Sequence, residues 1–355
     1  MHRIIAAPAA DGGNPRSEHD IVAGQNGIYI FPFSEDGDNN YKFHMNIRLE
    51  NTSGTPVPVR FTVEWGDEEY QSGRGHLLIC TDNDHWQYID AEIEGTRVIG
   101  TGAVPPGVSF LSFHPRYEYG RMLRLAESLP EKRFNVKVIG QSRMRRDIIA
   151  IETGSEGLKP LTVYGRVHPY ETVASYLMEG MLKWLAESGG DADGFLSGHR
   201  LIFVPMPNPD GVADGTNKRT HGGLDFSTNF KHSVEPEAMA LKEYFSLVKP
   251  RVLLDLHGWN NGWDNINVSH GDMYRQVAAR LLPDEDLFYK PMDITYKPRP
   301  MYGGHHSCGY FAETLGLSYL NSSWNHVGRT SAQLYAMGVK IMQAVAESAD
   351  VVFGK

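Results

Sequence analysis

The chain has 355 residues, of which 41% are hydrophobic and 22% charged, and its formal net charge is −9. These proportions are typical of a globular protein and exclude the disordered, collagen-like and coiled-coil classes. The negative charge argues against nucleic acid or an anionic membrane as a partner. No apolar run reaches the roughly 18 residues that a membrane-spanning helix needs. The length predicts two domains.

Residues 1–19 are rich in Gly, Pro, Ala, Asp and Asn, and we expect them to form a loose leader. Residues 20–114 are predicted to form an antiparallel β-sandwich. Apolar residues occupy every second position in two segments, 41–49 and 57–65, which is typical of strands with one face on a core. Clusters of Gly, Ser, Asn and Asp separate the apolar runs, as turns between strands do.

Residues 115–355 are predicted to form an α/β domain, with a mixed, mainly parallel sheet flanked by helices. Apolar runs without alternation predict strands buried on both faces, and they lie at 161–167, 201–205 and 252–256. Segments with helical spacing lie between and after these runs, at 171–188, 235–248 and 331–347. Strands that alternate with helices indicate helices packed over a largely parallel sheet.

His168, Glu171 and His257 form a candidate metal site. His168 and Glu171 are three residues apart where a predicted strand ends and a helix begins, so their side chains face the same way. His257 directly follows another predicted strand, and sites in open α/β sheets gather at strand ends. Two histidines, one carboxylate and one water form the ligand set of hydrolytic zinc sites. Asp255, two residues earlier, or a backbone carbonyl is the candidate to orient the His257 imidazole.

Three motifs in this order resemble the zinc carboxypeptidase family, the M14 metallopeptidases. They read HPYE at 168–171, NPDG at 208–211 and DLHG at 255–258. The last motif and the preceding β-rich region resemble the cytosolic carboxypeptidase branch. The resemblance implies one zinc ion per chain on the two histidines and the glutamate already named, and zinc-dependent hydrolysis of C-terminal peptide or amide bonds. Two cysteines far apart in sequence predict a cytoplasmic protein without a disulfide framework.

The residues implied for carboxylate recognition depart from the family. Its members carry an Asn-Arg pair after the NPDG turn, which holds the C-terminal carboxylate of the substrate. Ser227 and Thr228 stand at that place here, and neither offers the charge or the bidentate fork of an arginine. This departure favours, as an alternative function, a deacylase or amidase that acts on small acyl-amino substrates.

Other substrate-binding candidates carry more than one interpretation. Arg219, or the adjacent Lys218, is a candidate cation near the metal, but both are also interpretable as solvated loop charges. Arg146 fits the position of an early arginine of the family and is equally interpretable as a surface residue. Tyr302 and Tyr310 are candidates for the tyrosine that covers the cleft in the family.

The general base of the family, a glutamate on a late strand, has no plain counterpart here. Ser322 or Ser323 stands at the expected position. Glu313 would be the base if its own segment were the strand, whereas a helix that ends at the following glycine would place it on the surface. His305 and His306 are alternative acid–base groups, or exposed loop residues. A base that is missing altogether would make the chain a zinc-binding pseudoenzyme.

Overall fold

The structure is a computed structural model and describes residues 4–24, 26–35, 42–66, 75–82, 84–187, 189–259, 263–284, 286–288, 292–298 and 305–354. Two sheets organise these residues, and each of the two predicted regions contributes one sheet. Of the helices in the described part, none is both long and apolar enough to cross a membrane.

The first sheet has nine strands. They are β1 Ile4–Pro8, β2 Ile21–Gly24, β3 Gly27–Ile30, β4 Asn46–Asn51, β5 Val57–Glu64, β6 His76–Cys80, β7 Trp86–Glu94, β8 Arg97–Val104 and β9 Gly107–Ser112. In space their order is β1-β4-β9-β6-β7-β8-β5-β3-β2. All neighbours are antiparallel except β3 and β5, which are parallel.

This sheet folds over a core of its own. The first half of β7 pairs with β6 and the second half pairs with β8, so the two halves of the sheet are continuous. The buried side chains Ile47 and Leu111 from one half share a core with Phe61 and Val98 from the other. The alternation predicted for 57–65 is confirmed, because its odd-numbered positions from Val59 onward are buried in this core.

The segment expected to be a loose leader contains a strand. β1 pairs with β4 along its whole length. Beyond β1, the Asn14 amide donates to the carbonyl oxygens of Phe33, at 3.3 Å, and Gly215, at 3.1 Å. The sequence did not predict this strand because its five residues are too few to show alternation, and Gly- and Pro-rich sequence follows them. Residues 4–19 are therefore part of the fold.

The second sheet has eight strands, and helices cover it. The strands are β10 Phe134–Gln141, β11 Asp147–Gly154, β12 Leu161–Gly165, β13 Arg200–Val204, β14 Val252–Trp259, β15 Asp264–Val268, β16 Met292–Tyr296 and β17 Ser318–Asn325. The helices are α1 Tyr119–Ser128, α2 Thr172–Ala186, α3 Asp191–Gly198, α4 Pro209–Asp214, α5 Pro236–Val248, α6 Gly271–Leu281, α7 Ser307–Leu315 and α8 Ser331–Phe353. A 3₁₀ turn at Glu18–Asp20 precedes β2.

The order of the second sheet is β10-β11-β13-β12-β14-β17-β15-β16, and four of its seven pairings are parallel. The predicted α/β architecture with a mixed sheet is confirmed. Strands β12 and β14 are adjacent and parallel, so their carboxyl ends meet at one edge. Leu254 and Leu256 of β14 face the core that contains α2 and α8, and Leu253 faces the opposite core. With side chains that alternate, Asp255 and His257 share the face of Leu253.

Candidate metal centre

The loop between β12 and α2 carries His168 and Glu171, and its conformation is held from inside. Arg166 in this loop has a φ of 60°, in the left-handed region that non-glycine residues rarely adopt. Its buried guanidinium donates to the carbonyl oxygens of Tyr117, at 3.1 Å, and Pro169, at 2.8 Å. These bonds fix the turn that presents the two side chains beside the end of β14.

The three predicted ligands come together. His168 Nδ1 lies 2.8 Å from Glu171 Oε1, and His257 Nδ1 lies 2.8 Å from Glu171 Oε2. All three side chains are buried, and their ligand atoms lie within 4.8 Å of one another. Nitrogen and oxygen atoms that converge in this way fit the donor set of a divalent metal, and two imidazoles with one carboxylate favour zinc.

A carboxylate also lies on the far side of each imidazole. His168 Nε2 is 3.4 Å from Asp225 Oδ1 and 2.9 Å from Ser227 Oγ. His257 Nε2 is 3.1 Å from Asp255 Oδ1. At His168, an acceptor at Nε2 holds the tautomer whose Nδ1 lone pair is free for a metal. The contact between His257 Nε2 and Asp255 Oδ1 is electrostatic, because neither atom makes a hydrogen bond with the described residues. The DLHG motif pointed to Asp255, but no motif marked Asp225, which only the folded chain brings to His168.

The electrostatics of the cluster favour a bound cation. Burial would raise the pKa of Glu171, but the two imidazoles outweigh it and hold that pKa far below its usual range. Burial would likewise raise the pKa of Asp225, and the contact with His168 lowers it instead. Burial would lower the pKa of His257, but Asp255 and Glu171 raise it well above the usual value. A metal ion would displace the protons of the two imidazoles, and the three ionised carboxylates would then leave a negative site that favours a divalent cation.

The two histidines offered as acid–base groups have different surroundings. His305 is exposed, and its ring centroid lies 5.8 Å from that of His232. His306 is buried, and its Nδ1 lies 3.8 Å from Asp255 Oδ2. That nitrogen also accepts a hydrogen bond from the Cys308 amide at the start of α7. Burial lowers the pKa of His306 to about 4, so this side chain is a neutral neighbour of the cluster.

Glu313 lies on a helix and not on a strand. α7 ends at Gly316, whose φ of 64° is the left-handed conformation that closes helices. The Glu313 carboxylate is exposed and accepts a hydrogen bond from Lys231 Nζ at 3.0 Å. The structure therefore does not bring Glu313 to the metal ligands. The strand interpretation of its segment is corrected, because a helix with a glycine terminator is the local structure.

The late strand is β17, and Ser323 is the residue in register with His257. Side chains of paired residues on adjacent strands lie on the same face. Ser322 faces away, since its hydroxyl donates to the Asp255 carbonyl oxygen and accepts from the Trp324 indole. Ser323 is thus the serine on the metal side of the sheet.

The predicted substrate-binding residues have different surroundings. Ser227 lies against His168, as described, and Thr228 is exposed. Arg219 is half-buried and donates to the Gly223 carbonyl oxygen at 3.0 Å. Arg146 makes a 2.7 Å ion pair with the buried carboxylate of Asp210 in α4.

The structure describes one of the two tyrosine candidates. Tyr302 lies outside the described residues. Tyr310 is half-buried in α7, and its ring makes edge contacts with the rings of Phe230 and Phe311. These contacts place Tyr310 on an aromatic core cluster.

Comparison with known proteins shows what the chain resembles. Residues 120–263 match the family model described as zinc carboxypeptidase. Cytosolic carboxypeptidase 1 of Xenopus laevis is 35% identical over 141 residues, which cover 33% of this chain and 12% of that protein. Cytosolic carboxypeptidase 2 of Xenopus tropicalis is 33% identical over 149 residues, which cover 37% and 15%. The chain thus matches only a small part of the length of these relatives.

Solved structures match almost the whole chain. The metallo-carboxypeptidase from Burkholderia cenocepacia gives a TM-score of 0.82 at 18% identity, and the alignment covers 98% of this chain and 99% of that one. The Pseudomonas aeruginosa metallo-carboxypeptidase, solved in complex with (2-guanidinoethylmercapto)succinic acid, gives 0.79 at 17% identity, with 98% and 99% covered. Residues 120–263 therefore resemble the zinc carboxypeptidase family, and the chain shares its overall fold with these bacterial metallo-carboxypeptidases.

Proposed function

We propose that the chain is a zinc-dependent hydrolase of C-terminal peptide or amide bonds, with one zinc ion held by His168, Glu171 and His257. The observation that carries the proposal is the geometry of these side chains. Both Nδ1 atoms and the carboxylate face one point, and each imidazole has a buried aspartate behind it. The match of residues 120–263 to the zinc carboxypeptidase family supports the same assignment.

Zinc bound there would supply a water of near-neutral pKa and would polarise the carbonyl of the scissile bond. In this proposal Asp225 and Asp255 are positioning residues, because they act through the imidazoles. Arg219 is the proposed partner for negative charge on the substrate. Its loop is fixed by Glu35, whose carboxylate accepts hydrogen bonds from the backbone amides of Asn217, Lys218 and Arg219.

The proton of the attacking water needs an acceptor, and the described residues around the cluster supply no uncommitted carboxylate. Glu171, Asp225 and Asp255 all face imidazoles. Ser323 stands in register with His257, where an acceptor could lie, and a serine is not a base by itself. We therefore expect slow hydrolysis, and we expect the Ser323→Glu variant to be faster by at least about tenfold.

A deacylase or amidase acting on small acyl-amino substrates is the second candidate, and Thr228 favours it. This residue is exposed and uncharged at the place of the expected arginine. The adjacent Ser227 hydroxyl is engaged with His168. A substrate with a blocked or absent C-terminal carboxylate would lose no ion pair at a site that has no arginine there.

The experiment is hydrolysis of a mixed library of free and acylated peptides, followed by mass spectrometry. The zinc-loaded protein is compared with a chelator-treated sample, with the Ser323→Glu variant, and with Ser323→Gln, which has nearly the same side-chain size but no base. Zinc-dependent loss of single C-terminal residues supports the carboxypeptidase. Turnover of acylated substrates alone supports the deacylase. No zinc-dependent product from the wild type or from Ser323→Glu would leave a zinc-binding pseudoenzyme.

The proposal also includes the domain plan. We infer that residues 20–114 form a β-sandwich, to which β1 adds a strand next to β4, and that residues 115–355 form the catalytic domain. The core of the first sheet draws on residues up to Phe113, and the cores of the second begin at Tyr117, which supports this boundary. A cytoplasmic location is proposed because both cysteines are buried and free, and because the curated relatives are named cytosolic.

A further inference from the structure

A small polar cavity lies between the N-terminal region and the loop that carries the metal ligands. Its volume is about 20 Å³. Side chains from both parts of the chain line it: Asp11, His44 and Asn46 from the first, and Arg116, Arg166 and Thr172 from the second. Pro169, which lies between the ligands His168 and Glu171 in sequence, also lines it. The cavity is therefore adjacent to the metal-binding loop.

Unsatisfied polar atoms are concentrated around this cavity. Six of the residues that line it each have one buried side-chain atom without a hydrogen-bond partner among the described residues: Asp11 Oδ1, His44 Nδ1, Asn46 Oδ1, Arg116 Nε, Arg166 Nε and Thr172 Oγ1. Buried polar atoms in native proteins are almost always hydrogen-bonded, to protein or to ordered water. Six in one place indicate that something hydrogen-bonds to them.

The donors and acceptors are mixed. Each arginine Nε is a donor, and the oxygen atoms of Asp11 and Asn46 are acceptors. His44 Nε2 lies 2.8 Å from the Gly12 carbonyl oxygen and must donate to it, which leaves His44 Nδ1 as an acceptor. A lone anion would satisfy only the donors and a lone cation only the acceptors. Water satisfies both kinds.

Charge and size agree with water. Arg116 and Arg166 bring two positive charges to the cavity wall, and Asp11 and Glu118 bring two carboxyl groups. With both carboxyl groups ionised, the opposite charges cancel and leave little net charge for an ion to neutralise. One water needs about 10–15 Å³ of such volume, so the cavity has room for one or two.

We infer that this cavity is a binding site for one or two ordered water molecules, which hydrogen-bond the N-terminal region to the metal-binding loop. The water would accept a hydrogen bond from Arg166 Nε, since the other two guanidinium nitrogens already donate to the carbonyl oxygens of Tyr117 and Pro169. It would accordingly support the strained residue that precedes His168 by two positions. The inference does not depend on the proposed hydrolase activity.

A crystal structure of the full chain tests the inference directly. We expect water density within hydrogen-bonding distance of Arg166 Nε and Thr172 Oγ1. An empty cavity would overturn the inference, and so would an anomalous peak in the cavity after a bromide soak, because the site would then be an anion site.

A pair of matched variants tests it in solution. If the site is hydrated, Thr172→Val removes a hydroxyl that binds water, and the fold loses stability. If the cavity is dry, the same change removes an unsatisfied group, and the stability of the fold is unchanged or raised. Thr162→Val is the control, since Thr162 Oγ1 is equally buried without a partner but does not line this cavity. In metal-free protein we expect Thr172→Val to lower the thermal midpoint by about 2 °C and Thr162→Val not to lower it. A Thr172→Val midpoint that is unchanged or raised contradicts the hydrated site.

Discussion

Acidification should destabilise this protein through four buried histidines near the junction of its two sheets. His114 and His326 have ring centroids 4.8 Å apart, and His76 lies 5.4 Å from His326. His44, which lines the hydrated cavity, is the fourth. Burial lowers the pKa of His44 and His76 to about 4, and it lowers the pKa of His114 and His326 well below the usual value.

The size of the effect follows from proton linkage. In the unfolded chain each histidine titrates near pH 6.5, so between pH 6.5 and 4 the unfolded state binds more protons than the folded state. Stability therefore falls as the pH falls through this window. A pKa lowered to about 4 costs about 2 kcal/mol between pH 7 and pH 5. His44 and His76 together then cost about 4 kcal/mol, and His114 and His326 add to it in the same direction.

The metal ligands do not contribute to this loss if the metal is removed first. The pKa of His168 and that of His257 are both raised in the folded chain, against the effect of burial, by the carboxylates around them. Their stabilisation is fully present below pH 6.5 and is lost only as the pH rises through their folded values. Chelator-treated protein therefore excludes a loss of stability caused by metal release. His306, whose pKa burial also lowers to about 4, adds to the fall in the same direction.

The assay is urea unfolding of chelator-treated protein at pH 7 and pH 5, followed by tryptophan fluorescence. His76→Phe should reduce the difference in unfolding free energy between pH 7 and pH 5 by about 2 kcal/mol. A phenyl ring suits the site because His76 stacks on Phe113 with ring centroids 4.8 Å apart. His85→Phe is the control, since the His85 side chain is 82% exposed. An equal loss of stability in His76→Phe and wild type would refute the reasoning.

Two further predictions concern the ligand sphere and the helix packing. Asp225→Asn should weaken zinc binding by about tenfold or more, because the amide no longer offers His168 a charged acceptor; competition with a chromophoric chelator measures it, and unchanged affinity would remove Asp225 from the account. Gly180→Ala should destabilise by about 2 kcal/mol, since its Cβ would collide with the Tyr335 backbone where α2 meets α8. A Cβ at Gly194 in α3 would meet open space, so Gly194→Ala should instead stabilise the fold by up to about 1 kcal/mol. Urea midpoints that shift in the same direction in both variants would contradict this packing.

The parts of the fold that the sequence predicted are those with long, regular patterns. The unbroken apolar runs before His168 and around Leu254 form strands buried on both faces, because a strand covered on both faces needs no polar side. Thr330 caps α8, and Gln333 completes the capping box. Patterns of this kind are local, so the chain before folding already contains them.

Features that depend on contacts distant in sequence could not be predicted in the same way. β1 is recognisable only through its partner β4. Asp225 and His306 carry no motif, and the fold alone brings them to His168 and Asp255. Gly316 decides between helix and strand for the segment around Glu313. A glycine at that place predicts the end of a helix, and in the structure Gly316 ends α7.

The central claim is that His168, Glu171 and His257 hold one zinc ion. The most direct test is the zinc content of the dialysed wild-type protein and of His257→Ala, measured by plasma mass spectrometry, with His305→Ala as a control because His305 is exposed and outside the cluster. The account predicts one zinc per chain in the wild type and the control, and none in His257→Ala. Equal zinc in all three proteins would contradict it.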